Sequence, residues 1–489
     1  MRKTVTTIIS AAIATAAMTS CQKENVSAPV SAGELCTIHI AENATRSAYD
    51  PTTNKITLNH EELMGLFYIG PRTDTTFYYG DNANSIKASP IEPYTGQYQF
   101  TKPADATKTW VGIIPYSKGL IQTNGKHTGI WCRLAPNQFP AGNSFDPHSD
   151  YLVSKPFTIE GEEGTITDFK RLFTPFRLNI TGLDADDKIS AVTFKINATP
   201  AQARLATLIG TFYVNAYAES YSEQKINSVE KSSMSNGVSA IYDTPLVKDT
   251  DGKWPVWFMV NPITIPAGTG ITVTVTTATN TYTRTVTTTR DNIIEADKMN
   301  IMDFSMAEDK RDAATETIMQ SFIDKNNLKA NKTATLTASN GSELNWVISG
   351  ENINYKSDKN DNDSGLHNAL RLTSGTDKNS KTYTSSVTIP DIPGKNITRL
   401  RVYSHPILNN KPTEGKLTLC NGETELTSSP FSIYASAVDA EGELTTNGGY
   451  VDFTLPAGKD EHSLSGMILK GSKSMNIISA IVMTVENAE

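Results

Sequence analysis

The chain is poor in the residues that usually announce chemistry. It has only four cysteines and seven histidines in 489 residues. That excludes a disulfide-dense scaffold, and no His/Cys grouping shows the spacing of a zinc site. Positive charge is also in short supply, with 44 Lys and Arg against 52 Asp and Glu and a formal net charge of −8. Without a compact basic cluster, such a surface repels phosphates, so no nucleic acid partner is expected. Enzymatic motifs are missing: there is no G-x-S-x-G elbow, P-loop or dinucleotide-binding glycine fingerprint. His60-Glu61-Glu62 lacks the second histidine of H-E-x-x-H. With no nucleophile beside a visible base, the chain reads as a non-enzyme with no cofactor, no catalytic residue and no metal site.

Long apolar runs are absent too. The most apolar stretch near the start, Thr4 to Met18, is too short and too rich in Ala, Ser and Thr to span a bilayer stably. Arg2 and Lys3 precede it and Thr19-Ser20-Cys21 follows, which is the layout of an exported leader with small residues at its cut. This segment resembles the lipobox of bacterial lipoproteins, with Met18 where that pattern usually has Leu. The resemblance implies a signal peptide over residues 1–20 and a lipid on Cys21. Gln22-Lys23-Glu24 resembles the tags that send lipoproteins to the outer face of an outer membrane. The small, polar composition of residues 21–34 suits a tether.

What the chain does have is alternation. Cys36, Ile38 and Ile40 alternate with polar or small residues, as do Phe176, Leu178 and Ile180, and then Val192, Phe194 and Ile196. Period two places one apolar face on a core and one polar face in water, as in antiparallel sheets. The run Ile271 to Thr277, a turn near Asn280 and the run Tyr282 to Thr287 form the strongest hairpin signal. Pro and Gly punctuate the strands, and no repeat recurs at fixed spacing. The charged stretch at 307–314 predicts a solvated linker. Just beyond it, Ile318, Met319, Phe322 and Ile323 share one helical face and predict a short helix opening the last domain. Alternation then resumes through Leu370, Leu400, Val451 and the apolar run from Ile477 to Val485. The fold class expected is all-β, and the length after residue 20 suits about three domains.

Four segments carry a resemblance to a known family. They are Gln138 to Ser154 (QFPAGNSFDPHSDYLVS), Phe173 to Leu183 (FTPFRLNITGL), Val256 to Pro262 (VWFMVNP) and Asp291 to Asn300 (DNIIEADKMN). Together with the lipobox they resemble the fimbrillin family, the subunits and accessory proteins of type V pili, over residues 1–306. The resemblance implies two consecutive transthyretin-like β-sandwiches, at 35–165 and 166–306. It also implies removal of the first strand by a trypsin-like protease after an Arg, and strand exchange with other pilus subunits. Here Leu35 to Ala41 is the first strand by its alternation, and Arg46 follows in a polar loop open to proteolysis. An anchor subunit would stay uncut, because a cut at Arg46 severs the lipid at Cys21.

Residues 315–489 lie outside the resemblance and are expected to form a C-terminal β-sandwich or jelly-roll-like domain. Its Trp346, Tyr355, Asn368, Arg371, Tyr403 and His405 combine flat rings with amide, guanidinium and imidazole groups, which is what a sugar-binding face needs. Rings that simply fill the core give the same pattern. Asp358 to Gly365 has alternating oxygen side chains like a calcium loop, but the closing position is Arg371 instead of Glu, so a polar surface loop is preferred. Cys36, Cys132 and Cys420 are expected to be isolated buried thiols. The reading is a surface-anchored structural or adhesive lipoprotein at the outer membrane or in fimbriae, with a C-terminal domain for a glycan or host ligand. The alternative is a glycan-binding surface lipoprotein unconnected to pili.

Overall fold

The computed structural model describes residues 34–488 apart from 42–47, 51–54, 58–62, 69–85, 92–95, 104–108, 117–119, 124–125, 199–205, 215–225, 230–233, 297, 308–309, 312–315, 326–327, 356–366, 377–381, 409–410, 413–414, 432–448, 456–461 and 473–474. Cys21, Arg46 and the Asp358 to Gly365 loop lie outside the described residues. The described chain is all-β, with one short 3-10 turn at Pro147–Ser149. Among these residues no helix is long and apolar enough to cross a membrane.

The first sheet has nine strands, and its spatial order starts Phe157–Glu160, Glu163–Ile166, Glu34–Ile40, Gln97–Lys102. Phe157–Glu160 also pairs with Thr109–Ile114 of the same sheet, so the sheet curls until it closes. Its interior holds Cys36, Ile38, Leu66, Tyr98, Phe100 and Trp110.

The second unit is a sandwich. A six-stranded sheet that includes Ile189–Asn197, Gly237–Leu246 and the hairpin Gly270–Thr277/Thr281–Thr287 faces a three-stranded sheet of Trp254–Val260, Thr174–Thr181 and Asn300–Ser305. Phe176, Phe194 and Phe258 meet between the layers at centroid distances of 5.2 to 6.3 Å. In the hairpin Thr272, Thr274, Thr283 and Thr285 share the outward face, and the cross-strand pairs Thr272–Thr285 and Thr274–Thr283 exchange hydroxyl hydrogen bonds of 2.8 and 3.3 Å.

The two units interlock. Lys126–Leu134, from the first half, pairs with Gly210–Val214 from the second, and one apolar cluster runs from Phe67 and Ile113 through Phe173 to Phe212. The expected linker at 307–314 is corrected in part: Lys310–Arg311 adds an edge strand to the second unit by pairing with Thr283 and Tyr282. Its short charged segment satisfies an edge that would otherwise stay open.

The C-terminal unit is a sandwich of a seven-stranded and a six-stranded sheet. The helix expected at Ile318 is not formed. Glu316–Ser321 is a strand paired with Met475–Asn487 along its whole length. The strand is buried on both faces: Ile318 and Phe322 enter the sandwich core, whereas Met319 and Ile323 enter a second cluster shared with the middle unit. Two apolar faces at period two produce the same i, i+1, i+4, i+5 pattern as one helical face, which is why periodicity misread it.

Candidate functional site

Two places in this fold have the construction of working parts: the first strand, and the loop on which the three units meet.

The strand Glu34–Ile40 lies inside its sheet. It pairs in parallel with Glu163–Ile166 on one side and antiparallel with Gln97–Lys102 on the other. Cys36 and Ile38 are buried and Ile40 packs against the same core, while Leu35 faces solvent at 56 % exposure. Gly164 leaves room for Ile38: a Cβ there would stand 3.0 Å from the Ile38 Cδ1. Taking this strand out would open an apolar groove with two unpaired rows of backbone groups, a state that another extended chain repairs.

The junction loop runs from Ala135 to Asp150. Asn137–Gln138 extends the middle sheet in parallel with Gly237–Leu246. The fully buried Gln138 carboxamide bonds the Met259 backbone twice, accepting from its N–H at 2.8 Å and donating to its carbonyl at 2.7 Å. Asp146 then caps the 3-10 turn. One carboxylate oxygen accepts the His148 N–H at 2.9 Å and the other accepts the Phe139 N–H at 2.9 Å. Asp150, also buried, takes a two-pronged contact from Arg171 at 2.6 and 2.9 Å.

The C-terminal unit docks on this loop. Ala135, Phe139, Ala191 and Ile241 share an apolar cluster with Met319, Tyr355, Tyr403 and Ile477. Asn137 donates to the Gly449 carbonyl at 3.2 Å. Gly449 has φ of 84°, and a Cβ on it would lie 2.5 Å from the Asn137 carboxamide oxygen, so only glycine fits.

At the rim of this contact stand four titratable groups. His367 Nε2 lies 3.1 and 3.3 Å from the two oxygens of Asp146, and its Nδ1 lies 3.3 Å from Asp324. The His148 ring lies 4.0 Å from the His367 ring, centroid to centroid, and Phe139 meets His367 edge-on at 5.1 Å. Burial lowers the His367 pKa, but the Asp146 charge, its hydrogen bond and Asp324 outweigh that and raise it to about 10. For His148, burial and then the charge of His367 lower the value to about 4, against the pull of Asp146 and Asp324. A single imidazolium therefore bridges two carboxylates across the domain contact. Sequence reading missed this group, because 221 residues separate Asp146 from His367.

The expected sugar-binding residues are corrected by their surroundings. Trp346 is 0 % exposed in the sandwich core, where its indole N–H donates to Gln320 at 3.2 Å and its ring meets Phe322 edge-on at 5.0 Å. Tyr355 and Tyr403 are buried in the interdomain cluster. His405 is buried beside the same contact, and neither ring nitrogen has a hydrogen-bond partner. Asn368 is half-buried, and its carbonyl accepts the Asp324 N–H at 2.9 Å. Arg371 donates through Nε to the Asn352 carbonyl and reaches Met475 at 3.6 Å. The six do not form one open face. The middle unit covers the outer surface of the seven-stranded sheet, on which Tyr355 and Tyr403 sit, whereas Trp346 belongs to the six-stranded sheet and points into the core between the two.

No family model matches the chain, and no curated protein matches it. Solved structures do align. A candidate cell adhesion protein from Bacteroides ovatus is 13 % identical with a TM-score of 0.35, covering 57 % of this chain and 96 % of that one. A fimbrial protein from the same organism is 10 % identical with a TM-score of 0.24, covering 56 % and 49 %. A streptococcal ancillary pilin is 10 % identical with a TM-score of 0.18 and covers 90 % and 98 %. At TM-scores this low, the likenesses bear on neither fold nor function.

Proposed function

We propose that the protein is a surface-anchored, fimbrillin-like lipoprotein that serves as a structural or adhesive component of a type V pilus and is not an enzyme. The observation that carries this reading is the position of Glu34–Ile40. It is a short strand held between two others, with Cys36 and Ile38 plugging the core. It is joined on its N-terminal side to the segment that resembles a lipoprotein tether and on its C-terminal side to the stretch that holds Arg46. A cut at Arg46 frees this strand, and a strand from a neighbouring subunit takes its place. Until the cut, a lipid on Cys21 holds the chain at the outer membrane, since two or more acyl chains anchor stably where one does not. The C-terminal sandwich stays rigidly docked on the middle unit and presents its outer surface to other subunits or to a host ligand.

The test is a pair of variants followed in membranes and in purified fibres. Cys21→Ala is expected to leave the membrane fraction. Arg46→Ala is expected to stay on the membrane and fail to enter fibres. Normal incorporation of Arg46→Ala would refute strand exchange at this site.

A further inference from the structure

We propose that Asp146, His148 and His367 form a binding site for a divalent transition metal ion, with zinc the best fit, that clamps the C-terminal unit onto the junction loop. The three residues bring one carboxylate oxygen and two ring nitrogens within 4.8 Å of one another. Metal–ligand bonds of about 2.0–2.1 Å in a tetrahedral site place ligand atoms roughly 3.3–3.4 Å apart. The spacings here bracket that value: 3.1 Å from Asp146 to His367 Nε2, and 3.7 Å from the same carboxylate to His148 Nδ1.

The supporting contacts have the arrangement that metal ligands need. The other nitrogen of His367 faces the Asp324 carboxylate at 3.3 Å, which fixes the ring and leaves Nε2 directed at Asp146. Backbone N–H groups of Phe139 and His148 hold the two Asp146 oxygens at 2.9 Å each. His148 Nδ1 is buried and has no hydrogen-bond partner, so hydrogen bonding alone leaves a donor atom unused where the third ligand is required. The Asp146 and His367 side chains are 1 % and 9 % exposed, whereas that of His148 is 35 % exposed. Of the three side chains His148 is the one most open to solvent, so an ion would enter past its ring. Two nitrogens and one carboxylate suit zinc over calcium or magnesium, which require oxygen ligands.

Asp146 and His148 belong to the junction loop, and His367 and Asp324 to the C-terminal unit. Among the described residues these parts of the chain are joined by an apolar cluster, a few hydrogen bonds and the Lys325–Asp243 ion pair, and an ion here adds to them. The experiment is calorimetric titration of zinc into the chelator-treated full chain, beside His148→Ala and His148→Gln. Among the described residues the His148 side chain makes no hydrogen bond, so both variants are expected to keep the wild-type circular dichroism. Wild type is expected to take up one zinc per chain. The variants are expected to bind at least about 10-fold more weakly and to lose the thermal stabilisation that zinc gives wild type. Cobalt in place of zinc should produce the visible absorption of a four-coordinate site in wild type alone. Absence of stoichiometric uptake by wild type, which leaves only a protonated His367 between two carboxylates, overturns the proposal. Unchanged affinity in either His148 variant overturns it too.

Discussion

Replacing Trp346 with alanine decides whether its ring is part of a binding face or part of the core. The ring is fully buried, with Leu344 and Ile348 beside it on the inward face of Glu343–Ser349. Truncating a packed aromatic costs about 3–5 kcal/mol. The change also strands the Gln320 carboxamide oxygen, which accepts the indole N–H at 3.2 Å, and a buried acceptor left alone costs about 1–3 kcal/mol. The two losses overlap, so about 5 kcal/mol is expected, a large part of the ~5–15 kcal/mol that holds an ordinary domain together. Trp346→Phe keeps the edge-on contact with Phe322 and loses chiefly the N–H, so about 1–3 kcal/mol is expected. Native-state hydrogen exchange read by mass spectrometry suits the assay, because it follows peptides of the C-terminal sandwich without requiring one transition for the whole chain. Had the indole been an exposed platform for sugars, removing it would change stability by no more than about 0.5 kcal/mol. A loss below 1 kcal/mol, or a purely local effect near residue 346, would refute the core assignment.

His405 and the cysteines give further tests. Burial, and secondarily the charge of Arg133, hold the His405 pKa well below its ordinary value of 6.5. The unfolded chain therefore takes up a proton at this residue before the folded one does, and its contribution to stability falls as pH drops through 6.5. Between pH 7 and 5.5 the wild type should lose about 1 kcal/mol more than His405→Gln in urea denaturation. Parallel pH profiles for the two would contradict the buried, neutral ring. Cys36, Cys132 and Cys420 are unpaired and buried, and burial pushes the Cys36 and Cys132 thiols up. All three should resist maleimide in the native protein and label only in denaturant, as counted by intact mass. Fast labelling of the native chain would show that a thiol is accessible.

Alternation along single strands was legible, because a strand with one apolar and one polar face writes the two into neighbouring residues even where another layer covers the polar face. Phe176/Leu178/Ile180, Val192/Phe194/Ile196 and the threonine-rich hairpin all occupy the sheets that their patterns imply. Glu316–Ser321 was misread because both its faces are covered, and the covering elements are distant in sequence. The same reason hid the junction. The polar run around Asp146 and the lone His367 look like ordinary surface until the fold brings them to 3.1 Å. Trp346, Tyr355 and Tyr403 show the converse: a ring beside polar neighbours reads the same whether it faces sugar or core, and only the covering layer decides.

On the proposed function, Glu34–Ile40 is a replaceable strand released by a cut behind it. The most direct measurement is the N-terminal residue of the protein in purified fibres, read by mass spectrometry beside the membrane-bound pool. Fibre protein is expected to begin at Ser47 and membrane protein at a lipidated Cys21. Fibre protein that still begins at Cys21 would contradict that release.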